Sequence, residues 1–201
     1  MSHLDCRVPP INDLDSLSER QKQLQERLGR RGKNPKNIYR TLLRFPDFLA
    51  AMLPLGGRAA DSSLLTPRLR EFVILRTAWR CDCEYEWAQH TEIARKAGLT
   101  DEEIERIGAD PAAASLGEEE RMVMRAVDDL FENANLTTSS WDWLKARYDE
   151  DTIVDIIATC GFYTMLAWQL RSLGVQIEEG RAGYPVHLKA LKATEQQAAN
   201  P

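Results

Sequence analysis

A thiol, a carboxylate and an imidazole recur at helical spacing in the segment CDCEYEWAQH, residues 81–90. If a helix begins near Cys83, then Cys83, Glu86 and His90 share one face, because residues three, four and seven positions apart lie on the same side of an α-helix. A carboxylate beside an imidazole can orient the ring, and a helix N-terminus can favour a thiolate. The spacing therefore allows two chemistries, which are acid–base catalysis by His90 and thiol chemistry by Cys83.

A further acidic residue, Glu71, lies upstream on an apolar helical stripe. The other residues of that stripe are Ile74, Leu75 and Ala78. A carboxylate in such surroundings has to be paired or to have a raised pKa. Arg68 or Arg76 could pair with it, which would make Glu71 structural. Alternatively, a packed antiparallel helix pair joined by a tight turn would bring Glu71 to His90 as a general acid or base.

Each of these candidate residues also has a structural interpretation. Glu86 in a first helical turn complements the helix dipole, and Cys83 could be a small buried filler. His90 on a partly apolar face could be a core histidine whose hydrogen bonds are satisfied. Cys81 and Cys83 are two positions apart and point away from each other in a continuous helix, so we expect no disulfide between them.

Two helices joined by a short turn are predicted to position the candidate residues. Thr66 followed by proline is a preferred helix start, and the segment 67–80 is apolar on almost every side, which indicates a core helix. A turn at residues 81–82 leads to a second helix over 83–97, which a glycine ends. This hairpin would carry Glu71 on its first helix and His90 on its second.

The rest of the chain also predicts helices, and no strand pattern is present. The remaining helices are expected at 15–28, in two short segments that part at Pro46 and stop at Gly56-Gly57, after a capping box at Thr100 and Glu103, and at 118–134, 140–148 and 151–173. The predicted organisation is an N-terminal helical extension (1–60), a helical core (61–178) and a polar C-terminal tail (179–201) that frays after Gly180.

Composition and charge exclude several classes of function. The formal net charge is −5 and the basic residues are spread along the chain, so we expect no nucleic-acid binding. The apolar run 153–170 carries Asp155 and several polar residues, which favours a buried central helix over a membrane span. No secretory leader is visible, so the four cysteines are expected to be reduced thiols of a cytoplasmic protein. No metal motif or phosphate-binding glycine loop is present, and we expect no cofactor.

The block LREFVILRTAWRCDCEYEWAQHTEIARKAGLTDEEI resembles the carboxymuconolactone decarboxylase superfamily, which includes the alkylhydroperoxidase (AhpD-like) proteins. The segments NIYRTLLRFPDFLAAMLPLGG and WLKARYDEDTIVDIIATCGFYTMLAWQLRSLGV fit the same pattern, so that the resemblance spans roughly residues 35–175. The resemblance implies an all-α fold, an AhpD-like helical bundle with a central helical hairpin. It also implies a homo-oligomer, usually a trimer or a hexamer.

The two branches of this superfamily differ at the candidate site. The peroxidase branch has an upstream Glu followed by C-x-x-C-x-x-x-H, and Glu71, Cys83 and His90 match it. Glu86 stands where that branch has its second cysteine, the residue that attacks peroxide. The decarboxylase branch resembles E-x-E-x-x-x-H, which Glu84, Glu86 and His90 match. The chain therefore combines features of both branches.

Three functions are compatible with these residues. The first is cofactor-free acid–base catalysis, such as decarboxylation, on a small carbonyl, lactone or carboxylate compound, with His90 oriented by Glu86 and with Glu71 as a proton shuttle. The second is a thiol peroxidase that uses Cys83, with Cys81 as an unusual resolving partner. The third is a non-catalytic oligomer in which the polar residues fix helix packing.

Three further residues are candidates for substrate binding. Arg76 or Arg80 could hold a substrate carboxylate with two hydrogen bonds, and Trp87 lies on the same helical face as Glu86 and His90. An enzyme of the first kind should have a cavity next to the candidate catalytic residues, whereas dense packing around them would favour the non-catalytic interpretation.

Overall fold

The structure is a computed structural model that describes residues 5–29, 36–109, 112 and 115–199. The described residues form ten α-helices and no strand, which confirms the predicted all-α class. The helices are α1 (Glu19–Gly29), α2 (Asn37–Leu42), α3 (Pro46–Asp61), α4 (Pro67–Arg80), α5 (Glu84–Lys96), α6 (Asp101–Ala109), α7 (Glu118–Asn133), α8 (Thr138–Lys145), α9 (Glu150–Leu173) and α10 (Val186–Ala199).

The central element is the α4–α5 hairpin. Thr66 caps α4, since its side-chain oxygen accepts a hydrogen bond from the Leu69 N–H at 3.2 Å, and Pro67 begins the helix. The turn between the helices is tight, with Asp82 in the left-handed region at φ 53°. Arg171 of α9 donates to the Cys81 carbonyl at 2.7 Å and pairs with Asp82 at 3.1 Å. The hairpin turn is thus anchored to the long central helix.

Helix α9 is the second core element of the fold. Its Asp149 cap accepts from the Thr152 N–H at 2.8 Å, and it ends at Gly174 in the left-handed conformation, as predicted. Among the described residues it is also the one helix that is long and apolar enough, by length and composition alone, to cross a membrane. Half of that apolar window is buried inside the protein, as in a core helix.

Helix α3 is longer than the sequence predicted. The expected stop at Gly56-Gly57 is wrong, because α3 continues through Pro54 and both glycines to Asp61. Each glycine costs about 1 kcal/mol relative to alanine in a helix interior, and tertiary packing offsets this cost. A Cβ atom at Gly56 would lie 3.0 Å from the Phe162 ring of α9, so glycine permits the close approach of the two helices.

The C-terminal segment also differs from the prediction of a frayed polar tail. Residues 186–199 form α10, and Leu188 is completely buried. Tyr184 packs edge-on against two tryptophan rings of the hairpin, with ring centroids 5.3 and 5.2 Å apart. Glu84 of α5 accepts from the Tyr184 N–H at 3.0 Å and pairs with Lys189 at 2.6 Å. The frayed tail is therefore wrong, while the division of the chain into three regions stays a prediction.

Candidate active site

The hairpin brings Glu71 and His90 together, as the sequence predicted. Nδ1 of His90 lies 2.8 Å from Oε2 of Glu71, whose carboxylate is buried and also accepts from Nε of Arg70 at 3.3 Å. A carboxylate accepts hydrogen bonds, so Nδ1 carries a proton and Nε2 is left to interact with a ligand. The Tyr163 ring packs edge-on against the imidazole at a centroid distance of 5.0 Å. The ring of His90 is thus held in one orientation.

Glu86 lies one turn before His90 and has a very different environment. It is only 2% exposed, and neither carboxyl oxygen makes a hydrogen bond of normal geometry with a described residue. Burial raises the pKa of Glu86 well above its ordinary value, and the adjacent Cys83 thiol opposes this shift. The predicted Glu86–His90 hydrogen bond is absent, so the residue that orients His90 is Glu71 and not Glu86.

Glu86 and His90 both line a cavity of about 90 Å³. Its apolar wall is formed by Ile38, Met52, Leu53, Gly56, Ala60, Phe162, Leu166 and Leu170. A dry protein cavity of about 150 Å³ accepts benzene, so this cavity suits a ligand no larger than a small ring. Of the residues expected around such a cavity, His90 lines it, Glu71 reaches it only through His90, and Cys83 lies behind Glu86.

Gln89 adds a polar group to the cavity that the sequence did not indicate. Its side-chain nitrogen donates to Glu178, whose other oxygen accepts from the Asn37 N–H and the Tyr85 hydroxyl, both at 2.7 Å. The side-chain oxygen of Gln89 is buried and has no hydrogen-bond partner among the described residues. Glu178 follows the last core helix in a polar segment, where no local pattern marks it.

Lys36 supplies a positive charge at the same cavity. It lines the cavity from the residue before α2, and its ammonium group makes no hydrogen bond or ion pair with a described residue. Burial and then the charge of Arg181 lower the pKa of Lys36, while Glu178 and Glu92 act in the opposite direction. Lys36 belongs to a polar stretch of the sequence that carries no catalytic motif, so no sequence pattern selects it.

The comparisons with known proteins agree with this architecture. The sequence model of the Carboxymuconolactone decarboxylase family matches residues 46–129. This segment, which contains α4, α5 and the candidate site, therefore carries the sequence pattern of that family. No curated protein matches the sequence.

Several solved structures have a fold similar to that of the chain along most of its length. An uncharacterized peroxidase-related protein from Silicibacter sp. TM1040 has a TM-score of 0.75 and 16% identity, over 89% of this chain and 96% of that one. The alkylhydroperoxidase AhpD core protein from Ralstonia eutropha JMP134 has the same score and identity, over 86% and 93%. The debrominase Bmp8, as a cysteine-to-alanine variant in complex with 2,3,4-tribromopyrrole, has a TM-score of 0.68 and 17% identity, over 96% and 99%. At these identities the likeness establishes the fold alone.

The cysteines of the protein are free and differ in exposure. Cys6 is exposed, whereas Cys81, Cys83 and Cys160 are buried. Burial, and next the charge of Glu86, raises the pKa of Cys83 well above its ordinary value, and the same two causes raise the pKa of Cys81 to about 12. Burial therefore opposes ionisation of the Cys83 thiol more strongly than the start of α5 favours it, which agrees with the alternative of a small buried residue.

The three residues predicted to bind substrate do not line the cavity. Arg76 is buried and forms two hydrogen bonds to Asp128, at 2.8 and 3.0 Å. Arg80 lies near the same carboxylate at 3.6 Å, and Trp87 packs among the aromatic rings beneath α10. Their role in substrate binding stays a prediction, and the contacts of all three are those of packing and internal charge pairing. Among the described residues, no group of three or more His, Cys, Asp and Glu side chains could hold a metal ion.

Proposed function

We propose that the protein catalyses cofactor-free proton transfer, such as decarboxylation, on a small carbonyl, lactone or carboxylate compound. One observation carries the proposal. Glu86, which has a raised pKa, and His90, which Glu71 orients, line the same small cavity. Two titratable groups whose environments differ in this way are typical of acid–base sites, where a neutral carboxylic acid and an imidazole take separate roles.

Glu86 and His90 each have a separate role in the proposed reaction. In a decarboxylation the bond to the carboxylate carbon breaks, carbon dioxide leaves, and the electron pair moves into an enolate. The neutral Glu86 carboxyl donates a hydrogen bond to the enolate oxygen, where negative charge develops. In its imidazolium form, with Glu71 accepting from Nδ1–H, His90 delivers the Nε2 proton to the enolate carbon and then takes up a new proton from solvent at Nε2. Positioned groups of this kind contribute about 10²–10⁴-fold each.

Lys36 is the residue we assign to the substrate carboxylate. Its ammonium group lines the cavity and is unpaired among the described residues, whereas Arg76 is already engaged by Asp128. A carboxylate at Lys36 would be held by a point charge on a flexible stem. The volume of the cavity limits the substrate to the size of a small ring at most. The debrominase Bmp8, which has a similar fold, is seen in complex with a ring compound, 2,3,4-tribromopyrrole.

Proton exchange tests the proposal on a panel of candidate compounds. β-Keto acids, lactone acids and small ketones are incubated with the protein in D₂O, and NMR follows carbon-bound deuterium and loss of the carboxyl group. His90→Gln should abolish turnover, Glu71→Gln should lower it about 10²-fold, and Cys83→Ser is the matched control that retains it. Turnover of a panel compound that survives in His90→Gln would overturn the proposal.

A thiol peroxidase remains the second candidate. The observation that favours it is the likeness to structures described as peroxidase-related, together with two cysteines beside the turn of the hairpin. Peroxide chemistry requires Cys83 to become accessible and ionised, against its burial and raised pKa. Fast reduction of hydrogen peroxide that is lost in Cys83→Ser and retained in Glu86→Gln would support this candidate against the first.

We also propose that the protein is a homo-oligomer, a trimer or a hexamer, in the cytoplasm. Helix α9 presents a stripe of exposed apolar residues with Val154 62% and Trp168 64% exposed, and Ile157 lies between them on the same face. A second copy of the chain would cover this stripe. All four cysteines are free thiols, which supports a reducing compartment.

A further inference from the structure

We infer that Gln89 makes the cavity selective for ligands that carry a hydrogen-bond donor, such as a hydroxyl or a ring N–H group. The inference deepens the proposed function and rests on it, because it assigns a class of substrate to the same cavity. The ligand it describes is a small ring with a donor group. Gln89 lines the cavity and is only 3% exposed. Its side-chain oxygen has no hydrogen-bond partner among the described residues and would accept from the donor of the ligand.

The orientation of the Gln89 amide is determined by a chain of donors that ends at Glu178. The Ile38 N–H donates to the Tyr85 hydroxyl at 3.2 Å, and that hydroxyl donates to Glu178 at 2.7 Å. The Asn37 N–H donates to the same oxygen of Glu178. A carboxylate can only accept, so the side chain of Gln89 has to present its nitrogen to Glu178. Its oxygen is therefore left as an acceptor, and the amide cannot reverse without losing this bond.

The other polar groups of the cavity do not satisfy this oxygen. Glu86 lies three residues earlier on the same helical face, but neither side chain has the other as a hydrogen-bond partner. Lys36 also lines the cavity and makes no bond to Gln89. A buried acceptor without a donor is costly, so a ligand that brings a donor gains affinity and a ligand without one leaves the acceptor unsatisfied.

Size and lining restrict the rest of the ligand. The cavity of about 90 Å³ is bordered by the rings of Phe162 and Tyr163 and by Leu166, which suit a flat apolar body. The class is thus a small aromatic or heteroaromatic ring with one hydroxyl or N–H group directed at Gln89.

Three probes separate a donor from the other properties of such a ring. Phenol has a hydroxyl donor, toluene has the same number of heavy atoms without a polar group, and anisole keeps the oxygen as an acceptor but has no donor. Binding to the full-length protein is measured by NMR titration. The wild type should bind phenol about tenfold more tightly than either of the other probes. Equal affinity for the three probes, or no binding of any of them at saturation, would overturn the inference.

Two variants test whether the side-chain oxygen of Gln89 causes the preference for phenol. Gln89→Met keeps the length of the side chain without the acceptor, and it should bind the three probes with similar affinity. Tyr85→Phe is the matched control, because it removes another donor to Glu178 but keeps the Gln89 acceptor, and it should retain the preference for phenol. A phenol preference that persists in folded Gln89→Met rejects the inference.

Binding is measured without turnover, which keeps this test separate from the proposed catalysis. A preference for phenol together with no proton exchange on any compound would reject the catalytic proposal alone. Proton exchange that depends on His90, together with no preference for a donor, would reject the role of Gln89 alone.

Discussion

Replacing Glu86 by Gln should make the protein more stable than the wild type at neutral pH, and the difference should increase with pH. The carboxyl group is buried and makes no hydrogen bond of normal geometry with any residue that the structure describes, and burial raises its pKa well above the ordinary value of 4.5. Gln has nearly the same shape and does not titrate. The variant therefore removes one ionisable group while it keeps the packing around the cavity.

The direction follows from proton binding in the two states. Below the ordinary carboxyl pKa, Glu86 is protonated in both the folded and the unfolded chain, and pH has no effect through this residue. Above it, the unfolded chain releases the proton while the folded protein retains it. The unfolded state then gains stability relative to the folded state, so wild-type stability falls as pH rises, until the raised pKa of the folded state is reached.

The size of the effect is measurable. One proton retained by the folded state gives a slope of up to about 1.4 kcal/mol per pH unit in the free energy of unfolding. For a chain of this length 1 kcal/mol changes Tm by about 2–4 °C. The Tm of Glu86→Gln should therefore gain about 3–6 °C on the wild type per pH unit above about pH 5, until the raised pKa of the folded state is reached, as measured by circular dichroism.

A control isolates the effect of burial from that of net charge. Glu26 is exposed on α1 and makes no bond to a described residue, so Glu26→Gln removes one negative charge without changing a buried site. A Tm difference between Glu86→Gln and the wild type that stays constant from acid to neutral pH would show that Glu86 is ionised in the folded protein. Glu86 could then not act as the neutral acid of the proposed mechanism.

Three other outcomes are expected. Iodoacetamide should label only Cys6 rapidly in the native protein, because the other thiols are buried, and rapid labelling of Cys83 by mass spectrometry would contradict its burial. Arg76→Met should lower the free energy of unfolding in urea by about 1–3 kcal/mol, because it removes both hydrogen bonds to the buried Asp128 carboxylate and leaves Arg80 as its more distant partner, and an unchanged free energy would contradict that role. Trp168→Lys should reduce the mass of the assembly in light scattering, while Val186→Lys, at an exposed apolar position on α10, should not.

Local signals explain how much of this protein the sequence could predict. The Thr66-Pro67 start, the capping box at Thr100 and the glycine after α9 depend on neighbouring residues, and all three are present in the structure. The Glu71–His90 contact was predictable for a similar reason, since a tight turn between two helices leaves few ways to pack them. The fold and the Glu71–His90 contact, one of two alternatives for Glu71, could therefore be predicted from the sequence, whereas the role of orienting His90 was wrongly assigned to Glu86.

The rest of the site depends on contacts between distant segments. Glu178 reaches Asn37 and Gln89 across long stretches of chain, and Lys36 lines the cavity from the position before α2. The buried state of Glu86 follows from the helices packed around it and not from its position in a first helical turn. The continuation of α3 beyond Gly56 also depends on a distant contact, because packing against α9 outweighs the local preference of the two glycines to end the helix.

The proposed catalytic groups and much of the cavity wall lie on different helices, and this separation affects how such a protein can acquire new substrates. The groups that move protons belong to the α4–α5 hairpin, whereas much of the wall comes from α2 and α3, with residues such as Tyr39, Met52 and Leu53. Mutations in those two helices can reshape the space above His90 while the Glu71–His90 pair keeps its geometry. Libraries of variants with substitutions only in α2 and α3 are therefore the direct route to altered substrate specificity. Every variant in them would keep the Glu71–His90 pair of the hairpin.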